Sequence, residues 1–156
     1  MPEEIELSRD ALDRLRAEFT DLTTRGRVEI ARKIEVAREL GDLSENGDYQ
    51  AAKEEQGKME GRIGRLSVLI RNAVIVDGTS RDGKVSTGMV VQLRYEGDTE
   101  IEHYLVGSIE ERKAGVTVVS PGSPLGQALL GTKAGDTVSY QAPGGQLRVE
   151  VVAFGD

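Results

Sequence analysis

The stretch GDLSENGDYQAAKEEQ, Gly41 to Gln56, joins two long segments of helical spacing and crowds Asp42, Glu45 and Asp48 onto the short connection between them. Before it, Leu12, Leu15, Phe19 and Leu22 step by three and four, and Ile30, Ile34 and Ala37 resume the pattern after a break near Gly26. Ser8, with Asp10 in the first turn, is placed to cap the start of this segment. After it, Ala52, Gln56, Met59, Ile63, Leu66 and Ile70 step 4-3-4-3-4, close to a heptad seam. Two helices joined by so short a connection run antiparallel. At ~1.5 Å per residue over about thirty residues, the first is on the order of 45 Å long. Such a pair makes a thin rod, and like charges crowded at its apex repel one another and add little to folding. Their natural use is to hold a divalent cation or to meet a positive surface.

Gly57, Gly61 and Gly64 fall inside the second helix, each disfavoured by roughly 0.8–1.0 kcal/mol against alanine. Either the cost is simply tolerated, or Gly57 and Gly61, four apart, line a face that something approaches closely. Beyond Asn72 the period becomes two. Val90–Tyr95, Glu102–Gly107 and Val116–Ser120 read as strands, and Val138–Gln141 and Leu147–Phe154 flank Pro143-Gly144-Gly145 as a hairpin. Between them, Ser123-Pro124 can start a short helix that Gly131 ends. Asp77–Ser86 has the composition of a linker or exposed loop. The expected fold is therefore α+β: a helical hairpin over residues 1–76, then a compact domain over 77–156.

Of the 156 residues, 30% are charged and 38% hydrophobic, which marks a folded chain rather than a disordered one. No apolar run approaches the roughly 20 residues of a membrane span, and the start MPEEIELS lacks the basic and apolar regions of a signal peptide. Without cysteine there is no disulfide framework or thiolate metal site, so the cytoplasm is the expected compartment. The net charge of −7 divides into −4 over residues 1–77 and −3 over 78–156. Neither half binds bare duplex on electrostatics alone, and the low aromatic content argues against a base-stacking surface. A protein partner, itself holding nucleic acid, is the better expectation.

At this point the chain resembles the GreA-type transcript cleavage factors of bacterial RNA polymerase, the GreA/GreB family. The likeness rests on GDLSENGDYQAAKEEQ with its continuation QGKMEGRI (Gln56–Ile63), on VVSPGSPLGQALLG, and on APGG before a final strand, three motifs in order along the chain. It implies a coiled coil that enters the polymerase's secondary channel and an FKBP-like C-terminal domain that grips the rim. It assigns Asp42 and Glu45 to a catalytic tip, where they help the polymerase hold a second Mg²⁺ against a backtracked RNA 3′ end. That ion is shared with the polymerase and not bound tightly by the free chain, because two exposed carboxylates leave most of the octahedral shell to water. The chain is accordingly expected to stimulate another enzyme's cleavage rather than to be an enzyme itself.

For the flanking residues two readings stand side by side. Asp48 either adds negative charge to the tip or caps a helix beginning at Tyr49. Tyr49 packs under the loop or touches RNA. Arg38 and Lys53, one turn before and after the tip, contact RNA phosphates or are merely solvated; so sparse a basic flank suggests the GreA rather than the GreB pattern. In the C-terminal half the resemblance assigns polymerase binding to Ser123, Pro124, Leu125 and Gly126. His103, the only histidine, has no evident partner in sequence. Three other functions compete: a channel-blocking regulator of the same architecture, a prolyl isomerase, and a coiled-coil adaptor. The first carries a more acidic tip in that family, the second needs an aromatic pocket, and the third leaves the acidic tip without purpose.

Overall fold

The computed structural model describes residues 3–41, 47–80 and 82–155. The chain forms two compact units, one of Asp13–Asn72 and the other of Met1–Leu12 together with Ala73–Asp156.

In the first unit the long N-terminal helix is continuous but not uniform. α1 (Arg9–Asp21) passes through a five-residue π turn (Leu22–Gly26) into α2 (Arg27–Glu39). The sequence carries the cause. The Thr23 hydroxyl donates to the Phe19 carbonyl at 2.7 Å and the Thr24 hydroxyl to the Thr20 carbonyl at 2.6 Å, bonds that loosen the regular ladder. The widened turn absorbs the slip between the two apolar patterns, which is the break seen near Gly26. Gly26 is buried there, and a Cβ on it would lie 3.1 Å from the Met59 sulfur.

α3 (Gly47–Arg71) returns alongside, about 37 Å long at the usual rise. Three ion pairs fix the antiparallel register: Glu18 with Arg62, Arg27 with Glu60, and Lys33 with Glu55. Arg62 donates to both Glu18 oxygens at 2.8 Å and holds that carboxyl below its ordinary pKa. The seam positions Ala52, Ile63 and Leu66 are buried as expected, Gln56, Met59 and Ile70 are partly so, and Leu69 is buried beside them. Gly57, Gly61 and Gly64 are exposed, with open space where a Cβ would be. Of the two readings for these glycines, tolerated cost is the one this unit supports.

The second unit begins with a feature that the sequence pattern missed. β1 (Ile5–Leu7) pairs in parallel with β2 (Ala73–Ile75), the strand immediately after α3. A five-stranded sheet follows in the order β5-β4-β3-β7-β6, from β3 (Val90–Tyr95), β4 (Glu102–Val106), β5 (Thr117–Val119), β6 (Thr137–Ala142) and β7 (Gly145–Gly155). Only the β4–β5 pair is parallel. The β6–β7 hairpin turns on Pro143-Gly144, since Ala142 faces Gly145. α4 (Pro124–Leu129) covers one face, where Leu125 and Leu129 join Val91, Leu93, Val106, Val149 and Val151 in the core. Burying side chains of this size is worth about 1.5–3 kcal/mol each. A bulge opposite Gln92 and Leu93 changes the parity of β7, which brings Phe154 to the same core as Val149 and Val151. The architecture is α+β, a helical hairpin and a sheet domain.

Candidate functional site

Three places bear on function, and the first is the end of the hairpin. α2 stops at Leu40, whose backbone N–H donates to the Ala37 carbonyl at 3.1 Å; Gly41, whose N–H donates to the Arg38 carbonyl at 3.5 Å, follows with φ +131, a conformation left to glycine. α3 resumes at Gly47. Asp42 and Glu45 lie outside the described residues. Asp48 is exposed in the first turn of α3, not the residue preceding the helix, so it is no N-cap: its negative charge meets the positive end of the helix dipole from within. Tyr49 is half-buried. Arg38 is exposed in the last turn of α2, and Lys53 is exposed with its ammonium donating to Gln56 Oε1 at 3.0 Å. Just behind the tip, Val36, Ala37, Leu40, Ala51 and Ala52 line an open groove of about 480 Å³ rimmed by Lys33, Asp48 and Glu55. Among the described residues no cluster of histidine and carboxylates is built to hold a metal ion.

The second place is the start of α4. Ser123 is the N-cap: its hydroxyl accepts from the Gly126 N–H at 3.1 Å and donates to the Ser120 carbonyl at 2.7 Å. Pro124 occupies the first helical position and is exposed. Leu125 and Gly126 are buried, Leu125 in the core and Gly126 against the Ser120 carbonyl, which a Cβ would strike. Of the four residues assigned to partner contact, Pro124 and half-buried Ser123 reach the surface, while Leu125 and Gly126 hold them in place. His103 lies exposed on β4 opposite Gln92.

The third place was not legible beforehand. Tyr95, Tyr104 and Tyr140, three of the four tyrosines of the chain, converge at the end of the sheet face that α4 leaves uncovered. The Tyr95 and Tyr140 hydroxyls are 2.7 Å apart, those of Tyr95 and Tyr104 3.3 Å, and Tyr104 donates to Glu102 at 3.1 Å. Tyr95 and Tyr140 meet edge to face with ring centroids 6.5 Å apart. Tyr95 and Tyr104, with Glu96, Asp98, Glu102, Leu147 and Arg148, line a cleft of about 620 Å³. The aromatic pocket that composition argued against therefore exists in partial form, built from residues spread over three strands. Alternation alone places Tyr95 with Leu93, and Tyr104 with Val106, on one face; the pairing register that brings them together is not written locally.

Two family models cover nearly the whole chain, and the first takes in β1 and β2 as well as the hairpin. Residues 5–75 match the N-terminal model of the GreA/GreB transcription elongation factors, and residues 80–156 match the C-terminal one. The chain belongs to the GreA/GreB family. Among curated members it is similar to transcription elongation factor GreA of Saccharopolyspora erythraea, 46% identical over 148 residues covering 94% of this chain and 91% of that protein. It is also similar to GreA of Streptomyces avermitilis, 44% identical over 142 residues, 90% of this chain and 86% of that one. Among solved structures, Gfh1 of Thermus aquaticus matches 98% of this chain and 99% of its own at 28% identity with a TM-score of 0.43. The motifs that carry the resemblance fall at the hairpin end, at the start of α4 and before the final strand, and Tyr95, Tyr104 and Tyr140 lie outside them.

Proposed function

We propose that this chain acts on bacterial RNA polymerase, carrying the tip of its helical hairpin into the secondary channel to stimulate cleavage of backtracked RNA. The observation that carries the reading is an antiparallel hairpin whose two helices are joined by a sequence carrying Asp42 and Glu45, with Asp48 in the first turn of α3, in a chain of a transcription elongation factor family. Residues 1–76 are the probe, and residues 77–156, proposed to be FKBP-like, hold the rim through Ser123 and Pro124.

Two carboxylates are hard oxygen donors and fit Mg²⁺, which keeps several waters and takes few protein ligands. Asp42 and Glu45 are the residues that would hold it together with the polymerase's own groups. When bound there, the ion lowers the pKa of a water and offsets developing charge on a phosphate. The rest falls to this chain. The rigid hairpin delivers the pair, Asp48 adds negative charge beside them, and Tyr49, Arg38 and Lys53 flank the path of the RNA 3′ end. The free chain neither cuts RNA nor holds Mg²⁺ tightly on this reading.

Halted polymerase with backtracked RNA tests it. The chain should accelerate cleavage, and Asp42→Ala or Glu45→Ala should abolish the acceleration while affinity for polymerase changes less than about twofold (roughly 0.4 kcal/mol). Added Mg²⁺ should restore part of the rate. Affinity falling in step with activity would sink the assignment, as would cleavage by the chain alone.

A further inference from the structure

The tyrosine cleft has a polarity that selects its occupant. Tyr104 donates its proton to the Glu102 carboxylate, so its contact with Tyr95 leaves Tyr95 as the donor, and Tyr140 in turn donates to Tyr95. Every phenolic proton is thus directed along the chain of hydroxyls toward Glu102. What the cleft offers an incoming group is lone pairs, on Tyr95 and Tyr104, and carboxylates. Three acidic residues, Glu96, Asp98 and Glu102, line it against a single cation, Arg148, which already pairs with Glu96 at 3.4 Å. The ring faces and Leu147, 40% exposed, supply apolar surface at the mouth.

We infer that this cleft binds a lysine- or arginine-bearing segment of a protein partner, with the cationic side chain laid between the tyrosine rings and the Glu102 and Asp98 carboxylates. A cation finds acceptors, an aromatic face and excess negative charge there, whereas an anion or a group with only acceptors meets repulsion. The rings lie on the sheet face that α4 only partly covers, so a bound segment would extend the cover that Leu125 and Leu129 begin. The inference rests on the proposed polymerase function only for the partner's identity; the cleft's preference for a cation stands on its own geometry.

The test uses the full chain and an arginine-rich nonapeptide, with a glutamate-rich peptide of the same length as control. Titration followed by tyrosine ring resonances should shift Tyr95 and Tyr104 with the arginine peptide and not with the control. Glu102 is exposed, so Glu102→Gln leaves the fold intact and should weaken binding at least fivefold, with an unchanged thermal melt. Binding without those ring shifts, no binding at all, or equal affinity in Glu102→Gln would each overturn the proposal. None of these outcomes depends on the cleavage assay. If cleavage stimulation fails while the ring shifts appear, it is the polymerase reading that falls and the cleft that stands.

Discussion

The Glu111 carboxylate takes both polar hydrogens of Ser8, the backbone N–H at 2.8 Å and the hydroxyl at 2.6 Å. Ser8 Oγ in turn accepts from the Ala11 N–H at 3.1 Å, so a residue more than a hundred positions away orients the cap of α1. Glu111 is buried, and removing it leaves two donors short of a partner. Glu111→Ala should cost about 2–3 kcal/mol in urea unfolding. Ser8→Ala combined with it should add much less than its own single cost, because the two act as one unit. A loss under about 0.5 kcal/mol, the size of an ordinary surface change, would show the contact to be incidental.

Gly57→Ala, Gly61→Ala and Gly64→Ala should each stabilise the chain by up to about 0.8–1.0 kcal/mol, since no atom stands where the new methyl goes. Thermal melts of the three singles and the triple check the sum. If the stabilised triple variant then stimulates cleavage poorly at saturating concentration, the glycines serve an approach made only in the complex. Unchanged cleavage returns them to tolerated cost.

At the start of α4 two neighbours should behave differently. Pro124→Ala should raise the concentration needed for half-maximal cleavage while the melt stays close to wild type, because Pro124 is exposed. Gly126→Ala should instead lower stability by about 1–3 kcal/mol through its collision with the Ser120 carbonyl. A normal titration for Pro124→Ala would remove that residue from the interface.

The tyrosine cluster should show in alkaline titration. Burial first, then donation to Tyr104, pushes Tyr95 up to about 12; burial and donation to Tyr95 push Tyr140 higher still, and burial raises Tyr104. A phenol whose folded pKa is raised stabilises the fold fully below its unfolded value near 10, and that contribution is lost as pH climbs from there through the folded value. Phenolate absorbance should therefore lag for three tyrosines, and stability should fall between about pH 10 and 12. A single step near pH 10 in the folded protein would mean the hydroxyl chain does not form.

Much of this molecule was readable from local pattern. Val90–Tyr95 is a strand with the bounds its alternation suggests, Ser123 caps a helix that Pro124 opens, and the heptad seam of α3 is the face that Ala52, Ile63 and Leu66 bury. What escaped depends on partners distant in sequence. Ile5–Leu7 is too short for any period to register, and its strand partner begins at Ala73. The three tyrosines needed the register of β3, β4, β6 and β7 before they could be seen together. Asp48 was misread as a possible cap because a glycine, Gly47, opens the helix before it, where propensity argues against a start.

The β1–β2 pair also sets an order of events during synthesis. Ile5–Leu7 leaves the ribosome before the hairpin and cannot pair until Ala73–Ile75 has followed the whole of α3. The helices between them make mostly local contacts and can close early. Once they have, the Glu18–Arg62 pair holds the two arms together near their open ends, and the loop left to close shrinks from some sixty residues to about twenty, roughly ten on each arm. On loop entropy alone this lowers the cost of pairing β1 by roughly 1 kcal/mol. The hairpin thus acts as a chaperone in cis for β1, and a variant that frays it should delay the second unit as well as blunt the tip.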